Sequence, residues 1–369
     1  MSEPRLKMLS AYMVKNGMGA VVLNAGATLT YLSGLHFHLS ERPIVMIFTP
    51  EHEPVIILPE LEKIKLFTLQ FPSQVFTYGE NPQTWGESFQ RAVGSLNLAG
   101  HKIGVDPRQM RLLEHNFLKL ALPESAFVDG SSVFATIRSQ KDANEIANIR
   151  KAVVIAENAL ESTLSMVKVG VSEKEIASEL FMQLMRYGSE PTLPFSPIVA
   201  GGPNGANPHA QPSERKIQEG DLLVVDWGAS YNGYASDLTR TFAVGKIDDE
   251  AKKIHSLVKE ANRVGRAAGR PGVSCATVDK ATRKCIEEGG YGKFFNHRTG
   301  HGLGMECHED PYIRCDNEQL LQEGMVYTIE PGIYLAGKNG VRIEDDVVIT
   351  KDGAKSLSTM SRDLRIIGT

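Results

Sequence analysis

Three things are scarce in this 369-residue sequence, and each scarcity removes a class of protein. Cysteine occurs four times, at Cys275, Cys285, Cys307 and Cys315, with no C-x-x-C spacing. That excludes a disulfide-stapled scaffold and points to reduced thiols in a cytoplasmic protein. Charge of one sign is not in excess: 40 basic against 44 acidic side chains leave a net charge of -4. A nucleic-acid or membrane surface would carry a basic excess, so neither partner is expected. Long hydrophobic runs are missing as well. No stretch approaches the length of a membrane span, and the opening MSEPRLKMLSAYMVKNG is amphipathic, without the apolar region of a secretory signal. What is present, 42% hydrophobic and 23% charged residues, suits a globular protein with room for two cores.

The first third alternates helical and extended patterns. Residues 4–16 place apolar positions at helical spacing, AVVLN (20–24) reads as a strand, and PIVMIFTPEHEPVIILP (43–59) as a β-hairpin. GESFQRAVGSL reads as a helix, HKIGVD as a strand and RQMRLLEHNFLKLAL as another helix, which together imply an α/β layer domain with a mixed sheet. The pattern breaks over 129–141. A long helix then follows from Asp142, with Glu145 placed for a capping box, and another starts at Ser172 with Glu175 in the same relation. The domain boundary is therefore expected near residue 138, giving domains 1–138 and 139–369. Beyond 190, strands and Gly-rich turns are interrupted by helices at about 249–268 and 274–288.

Two distant segments repeat one another. EGDLLVVDWGASYNGYASDLTRTF starts at Glu219, and EGMVYTIEPGIYLAGKNGVRIEDDVVIT starts at Glu323. Each runs from Glu-Gly through an apolar strand to an acid, Asp226 or Glu330, passes a Gly-rich loop with an Asn-Gly pair, and climbs to a second acid, Asp237 or Glu344. A two-residue turn at Asn232-Gly233 sets Asp226 opposite Thr239, with Asp237 as its diagonal neighbour on the same face. Any one of these acids, taken alone, is as well explained as a turn or surface acid. Two related hairpins that each deliver a pair are not. Like charges at the ends of strands buried on both faces are costly unless something positive stands between them, and a divalent cation meets that need.

The segment HRTGHGLGMECHE (297–309) packs three histidines, a cysteine and two glutamates together. His297 and His301 have the spacing of a zinc-binding H-E-x-x-H helix, but Thr299-Gly300 stands where that motif needs Glu, and Gly300, Gly302 and Gly304 disfavour a helix. The segment reads as a glycine-rich loop and strand.

Together, DWGASYNGYASDLTRTF, HRTGHGLGMECHEDPY, GMVYTIEPGIY and GVRIEDDVVIT resemble the pita-bread metallopeptidases, which include methionine aminopeptidase, aminopeptidase P and proline dipeptidase. The resemblance implies an α/β (α+β) chain: a creatinase-like N-terminal domain, then a pita-bread domain of pseudo-two-fold β-hairpins with flanking helices. It implies two divalent ions (Mn, Co or Zn), with Asp226 on one, Asp237 and Glu344 bridging, and His301 and Glu330 completing the second. Four carboxylates balance two divalent cations. Glu330 is the implied proton acceptor, and His209 and His308 the non-ligand histidines. Arg342 is expected to orient Glu344 or meet a substrate carboxylate, His297 to support the ligands and Cys307 to pack. Tyr231, Tyr234 and Tyr334 read as hairpin packing residues.

The branch most resembled is the Xaa-Pro dipeptidases and aminopeptidases P. The implied activity is dinuclear, metal-dependent hydrolysis of the Xaa-Pro bond in short proline-containing peptides by a homodimer, with His38 or Arg42 of LHFHLSERP offered to the neighbouring subunit. The same fold also serves a hydrolase of a small non-peptide amide or amidine, such as ectoine. A different class, a non-catalytic peptide- or protein-binding module, is disfavoured because such relatives lose the ligands that are intact here.

Overall fold

Short β-branched runs separated by polar turns build the first unit, which ends at Arg138. Its strands are β1 (Ala20–Asn24), β2 (Val45–Phe48), β3 (Val55–Pro59), β4 (Gln74–Tyr78), β5 (Lys102–Val105) and β6 (Ala126–Asp129), in the spatial order β4-β3-β2-β1-β5-β6. The sheet is mixed: β1–β2 and β2–β3 are antiparallel, and the other pairs parallel. Five helices accompany it: α1 (Ser2–Lys15), α2 (Ala27–Ser33), α3 (Trp85–Gly94), α4 (Leu112–Ala121) and α5 (Ser131–Ser139). Phe89 of α3 and Leu118 of α4 pack on Val22, Ile47, Ile57 and Ile103 of the sheet.

Helix α5 corrects the expected break over 129–141. Val133, Phe134 and Ile137 form a buried stripe at helical spacing, and the Ser131 N–H is capped by Asp129 Oδ1 at 2.8 Å. The serines and threonine between the apolar residues, weak helix formers, hid that stripe.

The second unit starts at Ser139. Helix α6 (Ala143–Leu164) carries the Asp142/Glu145 capping box, and α7 (Glu173–Arg186) the Ser172/Glu175 one. Four strands, β7 (Ile198–Gly201), β8 (Leu222–Trp227), β11 (Leu238–Val244) and β19 (Ile366–Ile367), form one sheet, and β9 (Ser230–Tyr231) with β10 (Tyr234–Ala235) extends the β8–β11 hairpin to its tip. A second sheet holds β12 (Gly300–Gly302), β13 (Glu309–Ile313), β14 (Val326–Ile329), β17 (Asp345–Thr350) and β18 (Gly353–Ser356), while β15 (Gly332–Leu335) pairs with β16 (Asn339–Arg342) as the corresponding tip. The two repeated segments are these two hairpins. Helices α8 (Asp249–Ala268) and α9 (Cys275–Glu288) flank them.

Asn232 and Gly233, both at positive φ, make the two-residue turn, and Asp226 pairs with Thr239. The second Asn-Gly behaves differently from its expected role. The turn falls on residues 336–338, and Asn339-Gly340 lies within β16, where the Asn339 side chain accepts the Leu222 N–H at 3.1 Å. Among the residues described by this computed structural model, 2–368, no helix is long and apolar enough to cross a membrane.

Candidate metal centre

The two hairpins meet around an isolated bridge, where the Glu344 N–H donates to the Thr239 carbonyl at 3.0 Å. That contact brings the acid-bearing ends of both hairpins together. Asp226 sits near the end of β8, Asp237 just before β11, Glu330 just after β14 and Glu344 between β16 and β17. His301 arrives from β12. Glycine at 300 and 302 lets that strand press so closely on its neighbours that a Cβ at 300 would collide with the Thr328 carbonyl.

Three overlapping groups of ligand atoms lie within 4.8 Å: Asp226, Asp237 and Glu344; His301, Glu330 and Glu344; and Asp237, His301 and His308. Glu344 belongs to the first two groups and Asp237 to the first and third. His301 Nδ1 lies 3.2 Å from the Gly302 carbonyl, which can only accept, so Nδ1 carries the proton. Nε2 then turns its lone pair toward Glu330 Oε1 at 3.4 Å and Asp237 Oδ2 at 3.6 Å. Burial holds His301 neutral, with its pKa well below the usual range.

The carboxylates resist ionisation together. Burial, and then mutual repulsion, raises Asp237 and Glu344 well above their ordinary range; burial also raises Asp226 and lifts Glu330 to about 7. Neighbouring Asp345 is equally buried but stays ionised, because Arg240, Arg362 and Ser358 surround it. Among the described residues, the arginine in direct contact with the site acids is Arg342, whose Nη2 meets Asp226 Oδ2 at 2.5 Å. Asp226 Oδ1 is buried with no hydrogen-bond partner among the described residues. One cation for four clustered carboxylates, an orphaned oxygen and a neutral imidazole among them fit divalent metal.

Each candidate ligand is held by a second contact. Thr239 Oγ1 donates to Glu344 Oε2 at 2.6 Å, and the Glu330 N–H donates to the Thr299 carbonyl at 2.8 Å. The Asp237 N–H donates to Asp346 Oδ2 at 3.0 Å, while the Cys307 thiol donates to Asp237 Oδ2 at 3.1 Å. Cys307 is therefore a hydrogen-bond donor to an acid of the cluster, not only the packing residue expected. Arg342 also departs from expectation: its ion pair is with Asp226, and its other donors go to Thr239, Tyr334 and the Pro208 carbonyl. Its side chain is buried. Tyr334, read as packing, stands with its hydroxyl between Arg342 and His297 Nε2, at 3.0 and 2.8 Å. His297 thus reaches Asp226 only through Tyr334 and Arg342. Tyr234 donates to Glu145 at 2.7 Å, away from the acids.

The remaining candidates lie at the rim. His308 is exposed at its edge of the site, with its ring centroid 3.9 Å from that of His301; partial desolvation, then the nearby Arg298 and His209, hold it down to about 4. His209 is exposed on its loop, within electrostatic reach of Asp226, His297 and His308. In the first unit His38 is exposed, and Arg42 pairs with Glu41 and Glu80 at 2.6 and 2.8 Å. The functional contacts that sequence spacing did not disclose are Tyr334 with Arg342, and Asp346 and Cys307 with Asp237. The two contacts with Asp237 join residues far apart in the chain.

Comparison with known proteins gives consistent matches. Residues 147–351 match metallopeptidase family M24, and residues 5–140 match the creatinase/prolidase N-terminal domain. The chain is 33% identical over 367 residues to a Xaa-Pro dipeptidase of Lactobacillus delbrueckii subsp. lactis, covering 98% of each. It is similar to the prolidase of Thermococcus sibiricus, with a TM-score of 0.94 at 35% identity, covering 100% of this chain and 99% of that one. It also resembles an X-Pro aminopeptidase of Thermotoga maritima, with a TM-score of 0.83 at 31% identity, covering 95% and 98%.

Proposed function

This chain belongs to metallopeptidase family M24, and on that premise we propose the reading its site supports best. The protein is a metallopeptidase that hydrolyses the Xaa-Pro bond of dipeptides or short peptides. The observation that carries this reading is the cluster of four carboxylates, three of them buried, with one neutral histidine and an arginine paired to Asp226 alone. Two divalent ions, Mn, Co or Zn, are the proposed occupants, held by Asp226, Asp237, His301, Glu330 and Glu344, with Asp237 and Glu344 shared. When bound, they supply a water acidic enough to attack near neutral pH and polarise the scissile carbonyl.

The chain's own residues do the rest. Glu330 is the proposed group to take a proton from water and return it to the departing proline nitrogen. Its second oxygen accepts no hydrogen bond from the described residues, which leaves it open for that exchange. His308 stays neutral at pH 7 and offers an N–H to the carbonyl oxygen as negative charge develops there. His209 offers a second donor from the facing loop. Arg342 fixes Oδ2 of Asp226 and leaves Oδ1 as the oxygen that would be available to a cation. Tyr334 and His297 keep that guanidinium in place.

We place the domain division between residues 138 and 139 and expect a cytoplasmic homodimer, consistent with four free thiols. The test is turnover of Xaa-Pro dipeptides, Xaa-Pro-containing tripeptides and ectoine by protein loaded with Mn(II), Co(II) or Zn(II), with metal content measured alongside. Release of proline from dipeptides at about two metals per chain is expected. Turnover of ectoine alone, or metal uptake without any hydrolysis, would overturn the assignment.

A further inference from the structure

His209 stands on an exposed loop, and among the described residues its ring makes no hydrogen bond. Whatever aims the ring must therefore act through its backbone. The loop runs from the end of β7 at Gly201 to Ser213, and both of its ends arrive at one buried side chain, Glu173, the first residue of α7. Glu173 Oε1 accepts the Gly201 N–H at 2.8 Å and the Asn204 side-chain amide at 3.1 Å. Oε2 accepts the same amide at 3.1 Å, the Ser213 N–H at 3.0 Å and the Ser213 hydroxyl at 2.6 Å. None of these partners is a site acid and none is a cation. The carboxylate is occupied by neutral donors of this loop.

From Asn204 the hold passes on to His209. The Asn204 carbonyl accepts the Asn207 N–H at 3.0 Å, and the Asn207 side chain accepts the His209 N–H at 3.0 Å. Pro208, between them, gives its carbonyl to Arg342 Nη1 at 3.3 Å, which sets this part of the loop against the arginine that pairs with Asp226. The far end is docked from the other side. The Glu173 and Lys174 N–H groups donate to the Arg215 and Ser213 carbonyls at 3.1 and 3.2 Å. First-turn N–H groups have no partner within their own helix, and here the loop supplies one. Hydrogen bonds to a carboxylate are about twice as strong as neutral ones, and donors stripped of it inside the protein would be left unmatched.

We infer that Glu173 is the positioning residue for His209. By tying Gly201, Asn204 and Ser213 to one carboxylate it closes the loop, and through Asn204 and Asn207 it sets where the His209 ring meets the substrate carbonyl. The inference rests on the proposed role of His209 as a donor and adds a residue, outside the metal cluster, on which that role depends. A Glu173 that served folding alone would affect turnover equally with and without His209. A positioning residue acts only while His209 is there.

The experiment measures kcat and KM for Ala-Pro, together with metal content, on the metal-loaded full-length protein. The variants are Glu173→Met, Glu173→Gln, Asn207→Ala and His209→Ala, and the doubles of His209→Ala with each of the other three. Glu173→Met should lower kcat by about 10- to 100-fold, the effect of a displacement of roughly 1 Å, with KM within about threefold. Glu173→Gln, which keeps one acceptor oxygen, should fall between Glu173→Met and wild type. Asn207 is exposed, so Asn207→Ala should melt as wild type does while lowering kcat by about three- to tenfold. Added to His209→Ala, none of the three should lower kcat by more than about twofold further. Metal content should stay at the wild-type level, and hydrogen exchange across residues 201–213 should quicken by more than about tenfold in Glu173→Met. Full multiplication of the losses on the His209→Ala background would refute the inference, as would an unchanged kcat in Glu173→Met or, should that variant not fold, in both Glu173→Gln and Asn207→Ala. Undiminished turnover in His209→Ala would remove the donor role of His209 and this inference with it, leaving the Xaa-Pro assignment standing. No turnover of Ala-Pro by wild type would remove both.

Discussion

Replacing Arg342 with methionine tests whether charge compensation governs this centre. Arg342 is 3% exposed and Asp226 8%, so the pair is out of water. In Arg342→Met, Thr239 keeps Glu344 and Tyr334 keeps His297, but Asp226 Oδ2 loses its arginine while Oδ1 already has no partner. Breaking a buried pair and leaving the charge unmatched costs about 3–5 kcal/mol. For a domain of this size that lowers Tm by roughly 6–20 °C in metal-free protein at pH 8. The proposed ions resupply positive charge at Oδ1, so in metal-loaded protein the gap should shrink to about 2 kcal/mol, the value of one hydrogen bond to a charged group. Lowering the pH should narrow the metal-free gap as well. Burial already raises Asp226 in the wild type, and losing Arg342, which lowers it, raises it further, so the gap opens as pH rises from the wild type's folded value to the variant's and closes below both. Thermal melts after chelator treatment and after Mn(II) or Co(II) loading, at pH 6 and pH 8, measure all four quantities. A Tm loss that is the same with and without metal would refute charge compensation as the role of Arg342.

Other expectations follow from the same geometry. Asp237→Ala and Glu344→Ala, which remove the two shared acids, should each lower turnover more than about 100-fold and reduce bound metal; near-native rates in either variant would sink the two-ion arrangement. His308→Ala should lower kcat by about 100-fold, the usual effect of losing one oxyanion donor, with metal content unchanged by elemental analysis. If metal is lost instead, the grouping of His308 with Asp237 and His301 describes a ligand. Metal binding should release more protons at pH 6 than at pH 8, because burial lifts Glu330 to about 7 and raises Asp237 and Glu344 well above their ordinary range. Apparent affinity therefore falls as pH drops through about 7, and His301, already neutral, adds no proton of its own. Calorimetry in buffers of different ionisation enthalpy measures the release, and equal release at both pH values would contradict this.

What a sequence discloses about such a centre depends on whether the signal is local. Asn232-Gly233 permits one tight turn, and that turn alone dictates which residue faces Asp226 across the ladder, so the pairing with Thr239 is legible without coordinates. The capping boxes at Asp142 and Ser172 are legible for the same reason, each being settled within four residues. The second Asn-Gly shows the limit. Gly340 is glycine because the Gly205 backbone lies against it, a requirement set by a segment more than a hundred residues away, and the turn moves to Gly337 at positive φ. Arg342 lies two residues before Glu344, which favours Glu344 as partner by proximity along the strand. The bridge between Thr239 and Glu344 instead draws the first hairpin close enough for Asp226 to take the guanidinium. Cys307 and Asp346 are the same case: each is an ordinary strand or loop residue until distant segments meet, and only that meeting turns it toward Asp237. A repeat announces its acids because both copies carry them at matching positions. The groups that hold those acids lie between the copies, where no single stretch of sequence records the contact.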